Sequence, residues 1–139
     1  MQAGRIGVIG AGNMGSGIAQ KAATEGATVV LVDLSEAALE RGMSTIRGLL
    51  QQGVERRVFK PQQVEAILGR LIPTTSFEDL AECELVIEAV FEDLGVKGQV
   101  FGTLDRVCDP AAVLATNTSS FRVTDLQRDL QHPERVVGL

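Results

Sequence analysis

Apolar positions along the chain follow two alternating rhythms. Short unbroken runs, each four or five residues long, are separated by longer stretches in which apolar residues recur every three or four positions. The first rhythm predicts strands buried on both faces, and the second predicts helices with one buried stripe. Ile6–Ile9 opens as a strand, and residues 13–25 read as a helix stopped by Gly26. Residues 28–32 are a second strand, rich in Val. Ser35 is placed to cap a long helix over residues 35–52. Its stripe is Leu39, Met43, Ile46, Leu49 and Leu50, and Gly53 is expected to end it. Pro61 opens a further helix to Leu68, with Gly69 as its stop. Residues 71–75 form a weaker strand and residues 85–89 a clear one. A helix over residues 93–108 closes at Asp109-Pro110. Residues 112–116 make a fifth strand, a short helix follows Thr124, and residues 135–139 make a sixth strand.

Strands alternating with helices imply a parallel sheet covered on both faces. Right-handed crossovers then give an α/β, doubly wound, Rossmann-type fold with strand order 3-2-1-4-5-6 and a helical insertion after strand 2. Ligands of such sheets bind beyond the carboxyl ends of the strands, where the strand order reverses. Here that is the crevice between strands 1 and 4.

The first candidate chemistry lies at that point. Gly10-Ala11-Gly12-Asn13-Met14-Gly15 is a G-x-G-x-x-G loop between a strand and a helix, and Asp33 ends the next strand. The pattern alone is weak; in this context it is specific for a dinucleotide. Gly10 permits a tight turn, Gly12 leaves room for a pyrophosphate, and Gly15 lets the helix lie close to the strand. Ala19 and Ala22 continue the small-residue face. The helix amino terminus offers N–H groups and partial positive charge to phosphates. Asp33 is placed to accept hydrogen bonds from the adenosine ribose hydroxyls. Its charge would repel a 2′-phosphate, which favours NAD over NADP.

Composition narrows the alternatives. The 139 residues suffice for one domain with a sizeable core, and 45% apolar with 22% charged residues is a globular balance. A net charge of −5, no Trp or Tyr and only five Phe argue against a nucleic-acid surface or a basic membrane-binding face. No apolar run reaches the roughly 18 residues of a membrane span. Cys83 and Cys108 read as free thiols, and the expected location is cytoplasmic.

Two further groups are less determinate. Lys97 falls on the apolar stripe Leu94, Phe101, Leu104 and Cys108 of its helix. Near a helix amino terminus an inward lysine requires an anion. Either Glu92 or a bound ligand supplies it, or the side chain snorkels to solvent while Glu92 complements the helix dipole. Asn117-Thr118-Ser119-Ser120 follows strand 5, where it either lines the crevice or serves as turn and cap.

Together these stretches resemble the N-terminal domain of the L-3-hydroxyacyl-CoA dehydrogenase family. The likeness is carried by GAGNMGSGIA at residues 10–19, VLVD at 30–33, VIEAVFEDLGVK at 86–97 and LATNTSS at 114–120. The resemblance implies the NAD-binding half of an enzyme that oxidises an L-3-hydroxyacyl-CoA to a 3-ketoacyl-CoA. It implies that Gly10, Ala11, Gly12, Asn13, Met14 and Gly15 hold the pyrophosphate and Asp33 the ribose. Glu92 and Lys97 would then lie on the nicotinamide side, with Asn117 lining the same pocket. Ser119 would contact both the cofactor and the reacting oxygen of the acyl-CoA substrate. Arg56 and Arg57 could meet phosphates of that substrate, although a solvated basic pair is the simpler reading.

The family's general base is a histidine just after strand 6, followed by a helical dimerising domain. This chain stops before both, so it resembles an isolated cofactor domain of a homodimeric parent, inactive alone. His132 is no substitute, because it precedes strand 6 and stands at the opposite edge of the sheet. Five strand residues span about 16 Å, whereas a general base works within about 3 Å of its proton. Two other readings are a cofactor domain of the β-hydroxyacid or 6-phosphogluconate dehydrogenase type and a non-catalytic NAD-binding module. The first often carries an Arg after strand 2, where this chain has Asp33-Leu34.

Overall fold

A computed structural model describes residues 4–90, 94–117 and 122–139. Six strands form one sheet: β1 (Arg5–Ile9), β2 (Thr28–Val32), β3 (Leu71–Thr74), β4 (Leu85–Glu88), β5 (Val113–Thr116) and β6 (Val136–Gly138). Their order is β3-β2-β1-β4-β5-β6, and every neighbouring pair is parallel. Between them run α1 (Asn13–Thr24), α2 (Glu36–Glu55), α3 (Pro61–Gly69), α4 (Leu94–Val107) and α5 (Val123–Gln127). This is the doubly wound topology, with α2 and α3 inserted between β2 and β3. A 3-10 turn at Phe77–Leu80, which the apolar pattern does not announce, precedes β4, and another at Pro133–Arg135 precedes β6.

β1, β2 and β3 contribute to cores on both faces of the sheet, and β4, β5 and β6 to one of them. On one face Val8, Val29 and Leu31 meet Ala19, Ala23, Leu39, Ile46, Leu50 and Ile67 from α1, α2 and α3. On the other, Ile9, Val30, Val32, Val86 and Leu114 meet Phe101 and Leu104 from α4, Cys108 just after it, and Leu126 from α5. Fully burying one such aliphatic side chain contributes about 1.5–3 kcal/mol. On α1 the close-packed small residues are Gly15, Ser16, Ala19 and Ala23, while Ala22 stays half-exposed.

Helix ends explain several departures from the apolar pattern. Gly26, at φ 103°, ends α1 as expected. Gly53 does not end α2; it lies inside the helix, where a Cβ would stand 2.3 Å from the Phe59 ring. The stop falls at Arg57, in the left-handed region at φ 61°. There the Arg57 N–H donates to Val54 O and the Val58 N–H to Gly53 O, the paired bonds of a Schellman ending. A hydrophobic stripe is also narrower than its periodicity suggests. Leu49 and Leu94 are 43% and 40% exposed, and Gly42 and Lys97 fill buried positions in their helices instead.

The amino edge of the sheet carries a separate polar latch. Asp105, near the end of α4, accepts from the backbone N–H groups of Gln131 and His132 and pairs with Arg135 at 3.3 Å. Arg135 also donates to the backbone carbonyls of Asp109 and Asp105. Burial works to raise the Asp105 pKa, but the two N–H donors and the guanidinium outweigh it and hold the carboxyl below its ordinary value.

Candidate cofactor site

The site is built from the turns leaving β1, β2, β4 and β5. Gly10, at φ 103°, donates its N–H to Val32 O at 2.8 Å, and so ties the loop to the end of β2. A Cβ at Gly15 would stand 1.6 Å from Gly10 O, so any side chain there would force the loop and helix apart. At Gly12 a Cβ would meet nothing within 4 Å: the chain needs no glycine there for its own packing. The space it leaves open faces the start of α1. Gly12 is the N-cap residue of α1 and supplies no side-chain cap, and the first turn carries no acidic residue. The first-turn N–H groups of Asn13, Met14 and Gly15 are thereby left for an external anion.

Asp33 follows β2 directly. Its Oδ2 accepts from the Ala11 N–H at 2.8 Å and its Oδ1 from the Leu34 N–H at 2.6 Å. The carboxylate thus holds the glycine loop in place. Ser16 bonds from its Oγ to Ala11 O at 2.9 Å. Gly42 of α2 seats against the same loop, where a Cβ would lie 2.7 Å from Ala11 O. Neither Ser16 nor Gly42 stood out in the sequence, because each reads there as an ordinary helix position.

Across the crevice, Asn117 follows β5. Its amide donates to the sulfur of Met14, a side chain 57% exposed at the start of α1. Asn117 and the glycine loop therefore share one opening. Lys97 is fully buried, so the snorkelling alternative is excluded. Its Nζ lies 2.6 Å from Glu88 Oε2, and Glu88 is fully buried too. Thr116 Oγ1 donates to the other Glu88 oxygen at 2.6 Å. Glu88 and Thr116 were missed in the sequence, although a carboxylate at the end of an apolar strand is itself a signal that a buried partner exists. Glu92 and Ser119 lie outside the described residues.

The remaining candidates stand apart. Arg56 and Arg57 are exposed at the end of α2. His132 lies at the amino end of β6, where Nδ1 is 3.8 Å from Glu134. Cys83 and Cys108 are free and buried in the core. Among the described residues no group of three or more His, Cys, Asp or Glu is placed to hold a metal ion. None of the described helices is long and apolar enough to cross a membrane.

The glycine turn, the bare helix terminus and the acid after β2 define a dinucleotide-binding domain, and they fit NAD. The sequence pattern described as "3-hydroxyacyl-CoA dehydrogenase, NAD binding domain" matches residues 5–139, and the chain belongs to that family. It is 44% identical over 134 residues to the 3-hydroxyadipyl-CoA dehydrogenase of Escherichia coli (strain K12), covering 96% of this chain and 28% of that protein. It is 42% identical over 135 residues to a 3-hydroxybutyryl-CoA dehydrogenase of Bradyrhizobium diazoefficiens, covering 97% of this chain and 46% of that protein. The crystal structure of FadB2 from M. tuberculosis superposes with a TM-score of 0.96 at 41% identity, covering 100% of this chain and 49% of that one. The chain thus spans less than half the length of each of these relatives.

Proposed function

We propose that this chain is the cofactor half of an enzyme that oxidises an L-3-hydroxyacyl-CoA to the 3-ketoacyl-CoA. The observation that carries the reading is the Asp33 carboxylate bonded to the Ala11 N–H, within a chain whose relatives are dehydrogenases of 3-hydroxyacyl-CoA thioesters. In this reading Gly10, Ala11, Gly12, Asn13, Met14 and Gly15 surround the pyrophosphate, and the α1 terminus stabilises its charge. Asp33 receives the ribose hydroxyls and disfavours a 2′-phosphate. Asn117 and Lys97, with Glu92 and Ser119, belong to the nicotinamide side, and Ser119 also meets the substrate oxygen. When bound, NAD supplies the hydride acceptor.

Proton removal needs a base within hydrogen-bond reach. His132, the one histidine of the sequence, stands at the far edge of the sheet. The base is therefore assigned outside residues 1–139, as are most of the acyl pocket and a dimer interface of the whole protein. A cytoplasmic setting accords with two free thiols.

The test is to titrate the purified chain with NADH, followed by nicotinamide fluorescence, and to assay it with acetoacetyl-CoA and NADH. Binding with turnover near background is expected. Absence of NADH binding would sink the reading of the site. Robust turnover that His132→Ala abolishes would overturn the assignment of the base.

A further inference from the structure

Glu88 and Lys97 form a fully buried ion pair at the point where the sheet reverses its strand order. Such a pair is weak evidence for stability, because desolvating two charges costs about as much as their attraction returns. Apolar residues of similar volume would fill the space equally well. What this pair supplies is directionality, and its hydrogen bonds show where it is spent. Glu88 Oε2 accepts from Lys97 Nζ at 2.6 Å and from the Val90 N–H at 2.7 Å. Lys97 Nζ also lies 3.4 Å from Val90 O. Carboxylate and ammonium thus grip the N–H and the C=O of one residue, the second beyond β4.

The grip is braced from the neighbouring strand. Glu88 and Thr116 are register partners in β4 and β5, and Thr116 Oγ1 donates to Glu88 Oε1. The Asn117 N–H in turn donates to the Glu88 backbone carbonyl at 3.1 Å. On the other side the clamped turn abuts the phosphate loop: a Cβ on Gly10 would meet Ala89 O at 2.6 Å. Residues 89 and 90 therefore form one wall of the crevice, beside the glycine loop. That wall lies on the β4 side of β1. Asp33 lies on the β2 side, since Val32 pairs with Ile9 and Ile9 with Glu88.

We propose that Glu88 is a positioning residue for the nicotinamide half of the cofactor: with Lys97 and Thr116 it fixes the course of residues 89–90 along the crevice and leaves the adenosine half to Asp33. The proposal rests on the reading of the crevice as an NAD site. A side chain that merely held the fold together would, when altered, weaken both halves of the site alike. A side chain that positions one wall would weaken only the ligand that uses that wall.

The experiment compares NADH with AMP, which occupies the adenosine side alone, on the wild-type chain and on Glu88→Gln. The Gln keeps the shape and one acceptor oxygen but not the charge. NADH affinity is expected to fall tenfold or more, with AMP affinity within twofold of wild type. An unchanged NADH affinity, or equal losses for the two ligands, would overturn the proposal. If Glu88→Gln does not fold, Thr116→Val decides in its place: it leaves the ion pair intact and removes one bond to Glu88. About a threefold drop in NADH relative to AMP is then expected, and no change in that ratio counts against the proposal. Failure of the wild-type chain to bind NADH would refute the underlying reading of the site instead, so the two failures are distinguishable.

Discussion

At the scale of single residues, charge placement decides ligand choice. Asp33 is the residue on which discrimination between the two nicotinamide dinucleotides should turn: its carboxylate braces the Ala11 N–H, and the proposed function gives it the ribose hydroxyls. Hydrogen bonds to a charged group contribute about 1.5–3 kcal/mol. Asp33→Ala should therefore weaken NADH by roughly 10- to 100-fold and narrow its advantage over NADPH. Parallel fluorescence titrations check this, and equal affinities of the wild-type chain for the two dinucleotides would contradict the role. Lys97 carries a different consequence. Removing it as Lys97→Met leaves the buried Glu88 carboxylate without its ammonium partner. Breaking a buried pair from one side costs about 3–5 kcal/mol, so the urea midpoint of Lys97→Met should drop well below that of wild type. A midpoint within error of wild type would show the carboxylate to be neutralised by other means.

At the scale of elements, α2 shows what an apolar pattern reports and what it omits. The pattern located the helix, its Ser35 cap and most of its buried face, and the Ser35 hydroxyl does accept from the Ala38 N–H. It misread Gly53 as a stop, because whether a glycine ends a helix or admits a neighbour depends on a contact with Phe59 that no local rule contains. The turn of the glycine loop and the placement of Asp33 beside it were legible because they are written in consecutive or fixed-spacing residues. Glu88 and Thr116 were not, since their pairing joins strands 28 residues apart. The same helix offers a paired test. Ala exceeds Gly in a helix interior by about 0.8–1 kcal/mol. Gly48 is exposed, with nothing within 4 Å of an added Cβ, so Gly48→Ala should raise the urea midpoint. Gly42→Ala, on the loop-facing side, should lower it and weaken NADH, because its Cβ would press on Ala11 O. Similar shifts for the two substitutions would mean that the seat of α2 on the loop is loose.

At the scale of the whole molecule the sheet separates two kinds of work. The proposed cofactor groups gather at its carboxyl edge, while buried thiols and the Asp105–Arg135 latch sit at its amino edge. Burial pushes the Cys108 thiol up to about 11, and it raises Cys83 as well, although the Arg5 guanidinium acts in the opposite sense. Neither forms much thiolate near neutrality, so a disulfide reagent should label both only at the rate of unfolding; rapid labelling of the native chain would contradict the packing. Asp105 sets an acid limit. A carboxyl held below its ordinary value favours the fold above about pH 4 and loses that contribution as pH falls through its own lower pKa. Asp105→Asn should thus lower stability at neutral pH and flatten the acid limb of an unfolding curve, and an unaltered acid limb would remove Asp105 from that role. The latch also has a kinetic consequence. It fastens the three-residue edge strand β6 to the end of a helix about 30 residues earlier in the chain. Local opening cannot release one without the other, so the amides of residues 136–138 and those of the last turn of α4 should exchange with solvent as one cooperative unit. In Arg135→Met that unit should split, with the outer strand fraying alone while the helix keeps its protection.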